Sequence, residues 1–210
     1  MDDFGNLLAG YRRFRETRYE SEKARWRELA EGQSPRAVVI ACSDSRTDPA
    51  TIFDTAPGEI FVVRNVANLV PPFERGGGRH GVSAALEFAV TQLGIDEIVV
   101  MGHEHCGGIH AALTGQFRDA PEGEGGFVAN WMSQIDERAA EIAASHGTGE
   151  DAARVLEEVA IRQSLANLRT FPFVAEREQA GALKVLGCHF SIFEGQLYML
   201  DEAEDSFRPV

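Results

Sequence analysis

Three residues whose side chains could bind a metal ion, Cys42, His103 and Cys106, follow two strongly apolar segments of the chain. Cys42 comes directly after residues 36–41, and His103 comes directly after residues 97–102. Short runs rich in β-branched residues predict buried strands, and the ligand sites of open α/β sheets lie beyond the carboxyl ends of such strands. We therefore expect both strands to deliver these side chains to the same end of one sheet.

The donor set matches the chemistry of zinc. A catalytic zinc site uses three protein donors, commonly thiolate or imidazole, and keeps a fourth position open for water. The spacing His103-x-x-Cys106 lets one turn of loop present both donors, while Cys42 arrives from the other strand. Cys106 also precedes a predicted helix start, where the helix dipole and free amide groups favour a thiolate. The sequence therefore predicts Zn²⁺ as the cofactor.

Each of these residues also has a simpler interpretation. A single Cys at a strand end is most often a small buried hydrophobic residue. A Cys with a His could instead be a thiol nucleophile and its base. Asp44 and Arg46, which follow Cys42, could be an ordinary ion pair that closes a loop. The joint pattern is rarer by chance than any single member, which favours the metal site.

The composition excludes several functional classes. The chain has 210 residues, with 20 Lys and Arg against 33 Asp and Glu, and a formal net charge of -13. Such a chain repels nucleic acid and anionic membranes, so we expect neither as a partner. The sequence contains no apolar run of the roughly 18 to 20 residues that span a bilayer. The acidic N-terminus lacks the basic and apolar regions of a signal peptide, which predicts a cytoplasmic protein.

The order of predicted elements indicates an α/β fold. Apolar strands alternate with helical patterns, which predicts a mainly parallel β-sheet flanked by helices. A Glu-Gly turn between two short β-like runs predicts a C-terminal hairpin over residues 190–200. Strands are predicted at residues 36–41, 59–65, 97–102 and 183–188, and helices at residues 82–93, 107–113, 127–145 and 150–168. A short helix is also predicted after Asp48, with Asp48 as its N-cap and Pro49 at its first position.

The N-terminal segment is predicted to be a long helical arm. Its apolar residues between Phe4 and Leu29 recur mostly at spacings of three, four or seven, which is typical of a helix with one apolar face. Gly32 is expected to end this helix. We interpret residues 1–210 as one domain in which the arm, residues 1–33, packs on the core or on a partner subunit.

Four short sequence motifs resemble those of the β-class carbonic anhydrases. They are CSDSR at 42–46, PGE at 57–59, RNVANLV at 64–70 and GHEHCGG at 102–108. The resemblance runs in order from about residue 35 to residue 200. The resemblance is specific because two widely separated metal-ligand motifs occur together with the RNVANLV motif between them.

The resemblance implies a carbonate dehydratase, a lyase that reversibly hydrates CO₂ to bicarbonate and a proton through attack of a zinc-bound hydroxide. Cys42, His103 and Cys106 match the family's zinc ligands. Asp44 and Arg46 match its catalytic dyad, in which the aspartate orients the hydroxide and the arginine holds the aspartate. The resemblance also implies a homodimer, often paired into a tetramer, whose N-terminal helices reach across to the partner subunit.

Two positions depart from the subgroups of this family. Bicarbonate-regulated members hold an inhibitory bicarbonate with a Trp, an Arg and a Tyr, and only Arg64 matches, because Val39 and Phe190 stand at the other two positions. We therefore predict that this second anion site is weak or absent. Ala56 stands where plant-like members use a Gln to contact the substrate.

Other functions remain open on the sequence alone. A hydrolase of carbonyl sulfide or carbon disulfide would share the zinc ligands and the Asp-Arg pair. A non-catalytic zinc-binding protein is disfavoured by Asp44 and Arg46, since a structural site usually closes with a fourth ligand. His80, Glu104 and His105 are candidate proton relays, although each could be a solvated loop residue. Cys188 is predicted to be a buried core residue.

Overall fold

The N-terminal arm and the remainder of the chain form two separate compact units. The computed structural model describes residues 3–76 and 78–210, with the first unit ending at Ser34 and the second beginning at Pro35. The first unit holds helix α1 (Asp3–Phe14), a π-helical segment (Arg15–Tyr19) and helix α2 (Lys23–Glu31). The prediction that the arm is helical and ends at Gly32 is confirmed, but the helix is not continuous.

An aromatic cluster accompanies the interruption of the arm. The ring of Phe14 packs edge-on against Trp26 and Tyr19, with ring centroids 5.6 and 6.2 Å apart, respectively. Phe14 and Tyr19 are five residues apart, which is the hydrogen-bond spacing of a π-helical turn, whereas hydrogen bonds in an α-helix join residues four apart. The apolar spacing of the sequence did not reveal this local change of period, because it samples positions three, four and seven apart.

The second unit is built on a six-stranded sheet that confirms the predicted architecture. Its order is β2-β1-β3-β4-β5-β6, in which the first four strands are parallel and the last two join antiparallel at one edge. The strands are β1 (Ala37–Cys42), β2 (Ile60–Asn65), β3 (Glu97–His103), β4 (Lys184–Ser191), β5 (Gln196–Asp201) and β6 (Ser206–Pro209). Strand β6 was not predicted, since its four residues are too few to show an alternating pattern.

Helices cover the sheet, and the structure differs from the prediction at residues 127–145 and 172–179. They are α3 (Pro49–Ile52), α4 (Gly81–Glu87), α5 (Gly107–Thr114), α6 (Gly126–Met132), α7 (Asp136–His146), α8 (Glu150–Leu168) and α9 (Pro172–Gln179). The single helix predicted over residues 127–145 is wrong, because a 3₁₀ turn at Ser133–Ile135 divides it into α6 and α7. Helix α9 was not predicted. No helix in the described part of the chain is both long enough and apolar enough to cross a bilayer.

The central strands are buried on both faces. Val38 and Ile40 of β1 join a core on one face of the sheet, whereas Val39 and Ala41 join a cluster with Cys188 on the other. Burial on both faces explains why β1 is a continuous apolar run without alternation. Cys188 is fully buried, so the prediction that it belongs to the core is confirmed.

The pairing of β1 with β3 sets the position of the predicted metal ligands. These two strands are parallel neighbours in which Ala41 lies beside Met101. Cys42 and His103, the last residues of the two strands, therefore emerge at the same edge of the sheet. Helix α8 packs closely on β3 at this end, since a Cβ atom on Gly102 would lie only 2.7 Å from Cδ1 of Ile161.

Gly108 of α5 lies at a close contact with the turn at residues 66–68. A Cβ atom at this position would lie 2.6 Å from Cγ1 of Val66 and 3.2 Å from Cβ of Ala67. We expect Gly108→Ala to lower the free energy of unfolding by about 1–3 kcal/mol, because overpacking displaces buried neighbours. Denaturant unfolding of the full chain measures this loss.

The neighbouring Gly107 provides the matched control. A Cβ atom there meets nothing within 4 Å, and the residue lies in the same helix. Gly107→Ala should therefore leave stability within about 1 kcal/mol of the parent or raise it, since Ala favours helix more than Gly does. Equal losses in the two variants would contradict the packing argument.

Candidate metal centre

The structure brings the three predicted donors together in one buried cluster. Cys42 ends β1, His103 ends β3, and Cys106 is the N-cap residue of α5. Their Sγ and ring nitrogen atoms all lie within 4.8 Å of one another. The exposed fractions of the three residues are 6%, 1% and 2%, respectively, so the cluster is shielded from bulk water.

The distance between the two sulfur atoms fits a shared metal ion. The Sγ atoms of Cys42 and Cys106 are 3.9 Å apart. Two Zn–S bonds of about 2.3 Å at a tetrahedral angle separate their sulfurs by roughly 3.8 Å. A disulfide would require about 2.05 Å, and both cysteines are free. The spacing is therefore that of two thiolate ligands rather than of a disulfide.

The imidazole of His103 is oriented as a metal ligand would be. Its Nδ1 donates a hydrogen bond to the backbone oxygen of Glu104 at 2.9 Å, which leaves the lone pair on Nε2. Nε2 is buried and has no hydrogen-bond partner among the described residues. A buried polar atom without a partner needs a physical explanation, and a bound cation supplies it.

The two thiols share one proton through their hydrogen bond. The contact with Cys106 lowers the pKa of Cys42 to about 4, and the same contact raises the pKa of Cys106. Cys42 Sγ also accepts a hydrogen bond from the backbone N–H of Ala67 at 3.4 Å. A cation bound between the sulfurs replaces the shared proton, because the thiolate is the form that ligates metal.

The turn that presents Ala67 is held by side chains. Ala67 has a left-handed backbone with φ of 63°, an uncommon conformation for a residue with a Cβ atom. The Asn65 amide bonds both the N–H and the C=O of Leu69, each at 2.9 Å. Trp131 Nε1 donates to the Val66 oxygen at 2.8 Å. These contacts keep the strained turn in place and aim its N–H at the Cys42 sulfur.

Asp44 and Arg46 form a bidentate ion pair beside the cluster. Arg46 Nε lies 3.0 Å from Oδ1 of Asp44, and Nη2 lies 2.7 Å from Oδ2. The guanidinium hydrogen bonds hold the pKa of Asp44 well below its usual range. Asp44 is therefore an anion that can only accept hydrogen bonds, and its orientation is fixed by Arg46.

Arg46 also connects the two loops that carry the metal donors. Its Nη2 donates to the backbone oxygen of His105 at 3.0 Å. His105 has a left-handed backbone with φ of 54°, and it lies between His103 and Cys106. One guanidinium thus holds the loop after β1 and the loop after β3 together.

Arg64 holds the loop after β1 from its other side. Its Nε donates to the Cys42 oxygen at 2.9 Å, its Nη1 lies 3.2 Å from Oδ2 of Asp48, and its Nη2 donates to the Asp44 oxygen. All three guanidinium nitrogens therefore have protein partners. The absence of a second anion site stays a prediction, and these contacts favour it.

The candidate proton relays lie in different surroundings. Glu104 accepts hydrogen bonds from the N–H of Phe193 at 2.9 Å and from Ser191 Oγ at 3.2 Å, so it anchors the hairpin. The Phe193 N–H lowers the pKa of Glu104. His80 and His105 are exposed. A cleft of about 460 Å³ beside Cys106 is lined by His105 and by His110, which sequence reasoning had not singled out.

Sequence reasoning also missed a buried carboxylate behind the cluster. Glu157 of α8 is only 3% exposed, and it accepts a hydrogen bond from the backbone N–H of Cys106 at 3.1 Å. The signal was present in the sequence, because Glu157 precedes the inward-facing residues Ala160 and Ile161 by three and four positions. A charge on the apolar face of a helix indicates a specific buried partner.

Comparisons with known proteins agree with one another. The family model described as carbonic anhydrase matches residues 37–197. The chain is 35% identical over 187 residues to beta carbonic anhydrase 6, mitochondrial, of Arabidopsis thaliana, covering 88% of this chain but only 63% of that relative's length. Among solved structures, the beta-carbonic anhydrase CcaA aligns with a TM-score of 0.91 and 31% identity over 100% of this chain and 93% of the other.

A second solved structure bears on assembly. It belongs to a study of two tetrameric beta-carbonic anhydrases from the filamentous ascomycete Sordaria macrospora. The alignment has a TM-score of 0.81 and 27% identity, covering 96% of this chain and 98% of that one.

Alkylation should distinguish Cys42 from the two other cysteines of the chain. After metal removal with a chelator, we expect alkylation of Cys42 at about pH 8, because its lowered pKa makes it a thiolate. Cys106 should react more slowly, because the same contact raises its pKa. Cys188 should stay unmodified, since burial raises its pKa to about 12 and it is a neutral thiol below that pH. Peptide mass spectrometry measures the labelling of each cysteine.

Two controls accompany this labelling. Zinc-loaded protein should protect all three cysteines, and unfolding in guanidinium should expose all three. Labelling of Cys188 in the folded protein at the rate of Cys42 would contradict its placement in the core.

Proposed function

This chain belongs to the β-carbonic anhydrase family, and from that premise we propose that it catalyses the reversible hydration of CO₂ to bicarbonate and a proton. The observation that carries the proposal is the buried cluster of Cys42, His103 and Cys106 with the Asp44-Arg46 ion pair beside it. Three donors with metal spacing leave one position of a tetrahedral ion open, which is the arrangement of a catalytic site.

Zinc fits the donors that the structure provides. Cys42, His103 and Cys106 would hold the ion with two thiolates and one neutral imidazole, so that the charges of ligands and metal cancel. When bound, zinc supplies a Lewis acid that lowers the pKa of water to about 7 and makes a nucleophile available at neutral pH. The Ala67 N–H, bonded to the Cys42 sulfur, would stabilise negative charge on that ligand.

Asp44 and Arg46 provide the orientation that the reaction needs. The ionised Asp44 accepts a hydrogen bond from the attacking water and thereby turns a lone pair of that water towards CO₂. Arg46 holds both carboxylate oxygens, which fixes the direction of Asp44 and keeps it away from the metal donors. Mis-orientation of Asp44 would therefore lower the rate without removing the metal.

The alternative functions have less support. The relatives reported above are named carbonic anhydrases, so a hydrolase of carbonyl sulfide or carbon disulfide is not favoured. A non-catalytic zinc protein would not need an oriented carboxylate beside an open metal position. The cytoplasmic location stays a prediction from the sequence.

We also propose that the chain assembles into dimers or tetramers. Support comes from the apolar face of α1, where Phe4, Leu7 and Tyr11 expose 65%, 70% and 54% of their surface. A contiguous apolar face of this kind is typical of a surface that another protein covers. A solved relative with the same fold is described as tetrameric, which favours a second copy of the chain as the partner.

Stopped-flow CO₂ hydration tests the reaction. We expect the zinc-loaded chain to hydrate CO₂, and Asp44→Asn to lower kcat/KM by about 10²-fold or more, since the amide cannot pair with Arg46 at both oxygens. Zinc content, measured on the same preparations, should stay near one per chain in both proteins.

Asp48→Asn is the matched control for the loss of a carboxylate. Asp48 is four residues from Asp44, pairs with Arg64, and caps α3 through a hydrogen bond from the Thr51 N–H. Asn is also a good N-cap, so this variant should keep most of its activity. Zinc bound at full occupancy without CO₂ hydration would refute the proposed activity, and an Asp44→Asn enzyme as fast as the parent would refute the role of the ion pair.

Light scattering after size-exclusion chromatography tests the assembly. The parent should elute with the mass of two or four chains, and Leu7→Glu should shift it towards smaller species, because a charge would be buried at the interface. Asn6→Glu adds the same charge on another face of α1 and should leave the mass unchanged. A monomeric parent, or equal behaviour of the two variants, would contradict the proposed surface.

A further inference from the structure

Glu157 is a buried carboxylate that the proposed reaction does not use. Its Oε1 accepts the backbone N–H of Cys106 at 3.1 Å, and its Oε2 lies 2.9 Å from Nε2 of His189. Glu157 and His189 are 3% and 0% exposed, respectively. Burying a charged group is costly unless it is paired, so this arrangement needs a reason.

Arg154 determines the state of His189. Its Nη1 lies 2.7 Å from Nδ1 of His189 and 3.4 Å from Nε2, so Nδ1 is its closer partner. A guanidinium can only donate hydrogen bonds, so Nδ1 is the acceptor and the ring proton is on Nε2. His189 therefore donates to Glu157, whose two oxygens accept from two fixed donors.

The peptide unit between His105 and Cys106 is held at both ends by charged groups. Arg46 Nη2 donates to its oxygen at 3.0 Å, and Glu157 accepts from its N–H at 3.1 Å. In a trans peptide these two groups point in opposite directions, so the cation and the anion approach from opposite sides. Each charge faces the matching end of the peptide dipole, which resists rotation of the unit.

This clamp acts on a strained part of the metal loop. His105 has a left-handed backbone with φ of 54°, which costs free energy for a residue with a Cβ atom. Cys106, on the other side of the same peptide, directs its sulfur into the metal cluster. Rotation of the peptide would relieve the strain at His105 and would displace the Cys106 sulfur.

We propose that Glu157 is a positioning residue for the metal ligand Cys106, held in place by His189 and Arg154, and that it acts by clamping the 105–106 peptide together with Arg46. The inference rests on the proposed zinc-dependent function, because it assigns a role towards that metal. It adds a determinant of metal affinity that lies outside the ligands and the Asp44-Arg46 pair.

Glu157→Gln is the discriminating variant. An amide offers one oxygen and one NH₂ group, whereas Glu157 faces two donors, the Cys106 N–H and the His189 Nε2–H. His189 cannot exchange its ring proton to accommodate the NH₂ group, because Nδ1 already faces Arg154. The variant therefore leaves one buried donor without an acceptor while keeping the shape of the side chain.

Zinc affinity of the protein is the first measurement, made by competition with a chromogenic chelator. We expect Glu157→Gln to bind zinc about 10- to 100-fold more weakly than the parent, the usual effect of losing a partner that orients a ligand. Glu158→Gln is the control, since Glu158 is the next residue of α8 and pairs with Arg154 and Arg162 nearer the surface. The control should bind zinc within about threefold of the parent.

The spectrum of the cobalt-substituted protein is the second measurement. The thiolate-to-cobalt absorption should change in Glu157→Gln and stay as in the parent in Glu158→Gln, because only the first variant moves the Cys106 sulfur. A lower melting temperature of metal-free Glu157→Gln with unchanged zinc affinity and cobalt spectrum would overturn the proposal, since it would show a purely structural role.

Substitutions of His189 keep the proposal testable should Glu157→Gln not fold. His189→Gln can still donate to Glu157 and accept from Arg154, so it should retain most of the zinc affinity, whereas His189→Leu can do neither and should lose it. Equal zinc affinity in His189→Leu and the parent would overturn the proposal. The outcomes separate this proposal from the proposed function. A parent protein that binds no zinc would refute both. Equal zinc affinities of the parent and Glu157→Gln would refute only the positioning role of Glu157.

Discussion

The parallel pairing of β1 with β3 is the constraint on which the rest of the site depends. Neighbouring parallel strands end at the same edge of a sheet, so Cys42 and His103 meet although they are far apart in the chain. Both strands are buried on their two faces, and a shift of one residue would turn every side chain to the opposite face. The hydrophobic core therefore sets the register that brings the metal donors together.

The loops beyond these strands are held by charged groups rather than by apolar packing. Four charged side chains bond the backbone of the two ligand loops or one another, namely Asp44, Arg46, Arg64 and Glu157. Each carboxylate contacts an arginine either directly or through one intervening side chain. Left-handed residues such as His105 are tolerated because these contacts leave the loop no better conformation. Pre-organisation of this kind lets the site bind metal without reordering its loops.

Several features could be predicted from the sequence because they depend on local patterns. The apolar runs of β1 and β3, the Asp48 cap of α3 and the span of α8 follow from periodicity and capping residues a few positions apart. The division of the 127–145 helix, strand β6 and the π-helical turn of the arm were missed. Each of these depends on tertiary packing or is too short for a pattern to be recognised.

The sequence by itself determined the donor set, since Cys42, His103 and Cys106 follow two apolar strands and the motifs around Cys42 and His103 carry the family resemblance. Only the tertiary structure decided how those donors are oriented. The 3.9 Å between the sulfurs and the Glu157 carboxylate behind Cys106 both depend on contacts between residues distant in the chain. Local sequence specifies which groups are available, whereas burial and long-range hydrogen bonds specify which way they point.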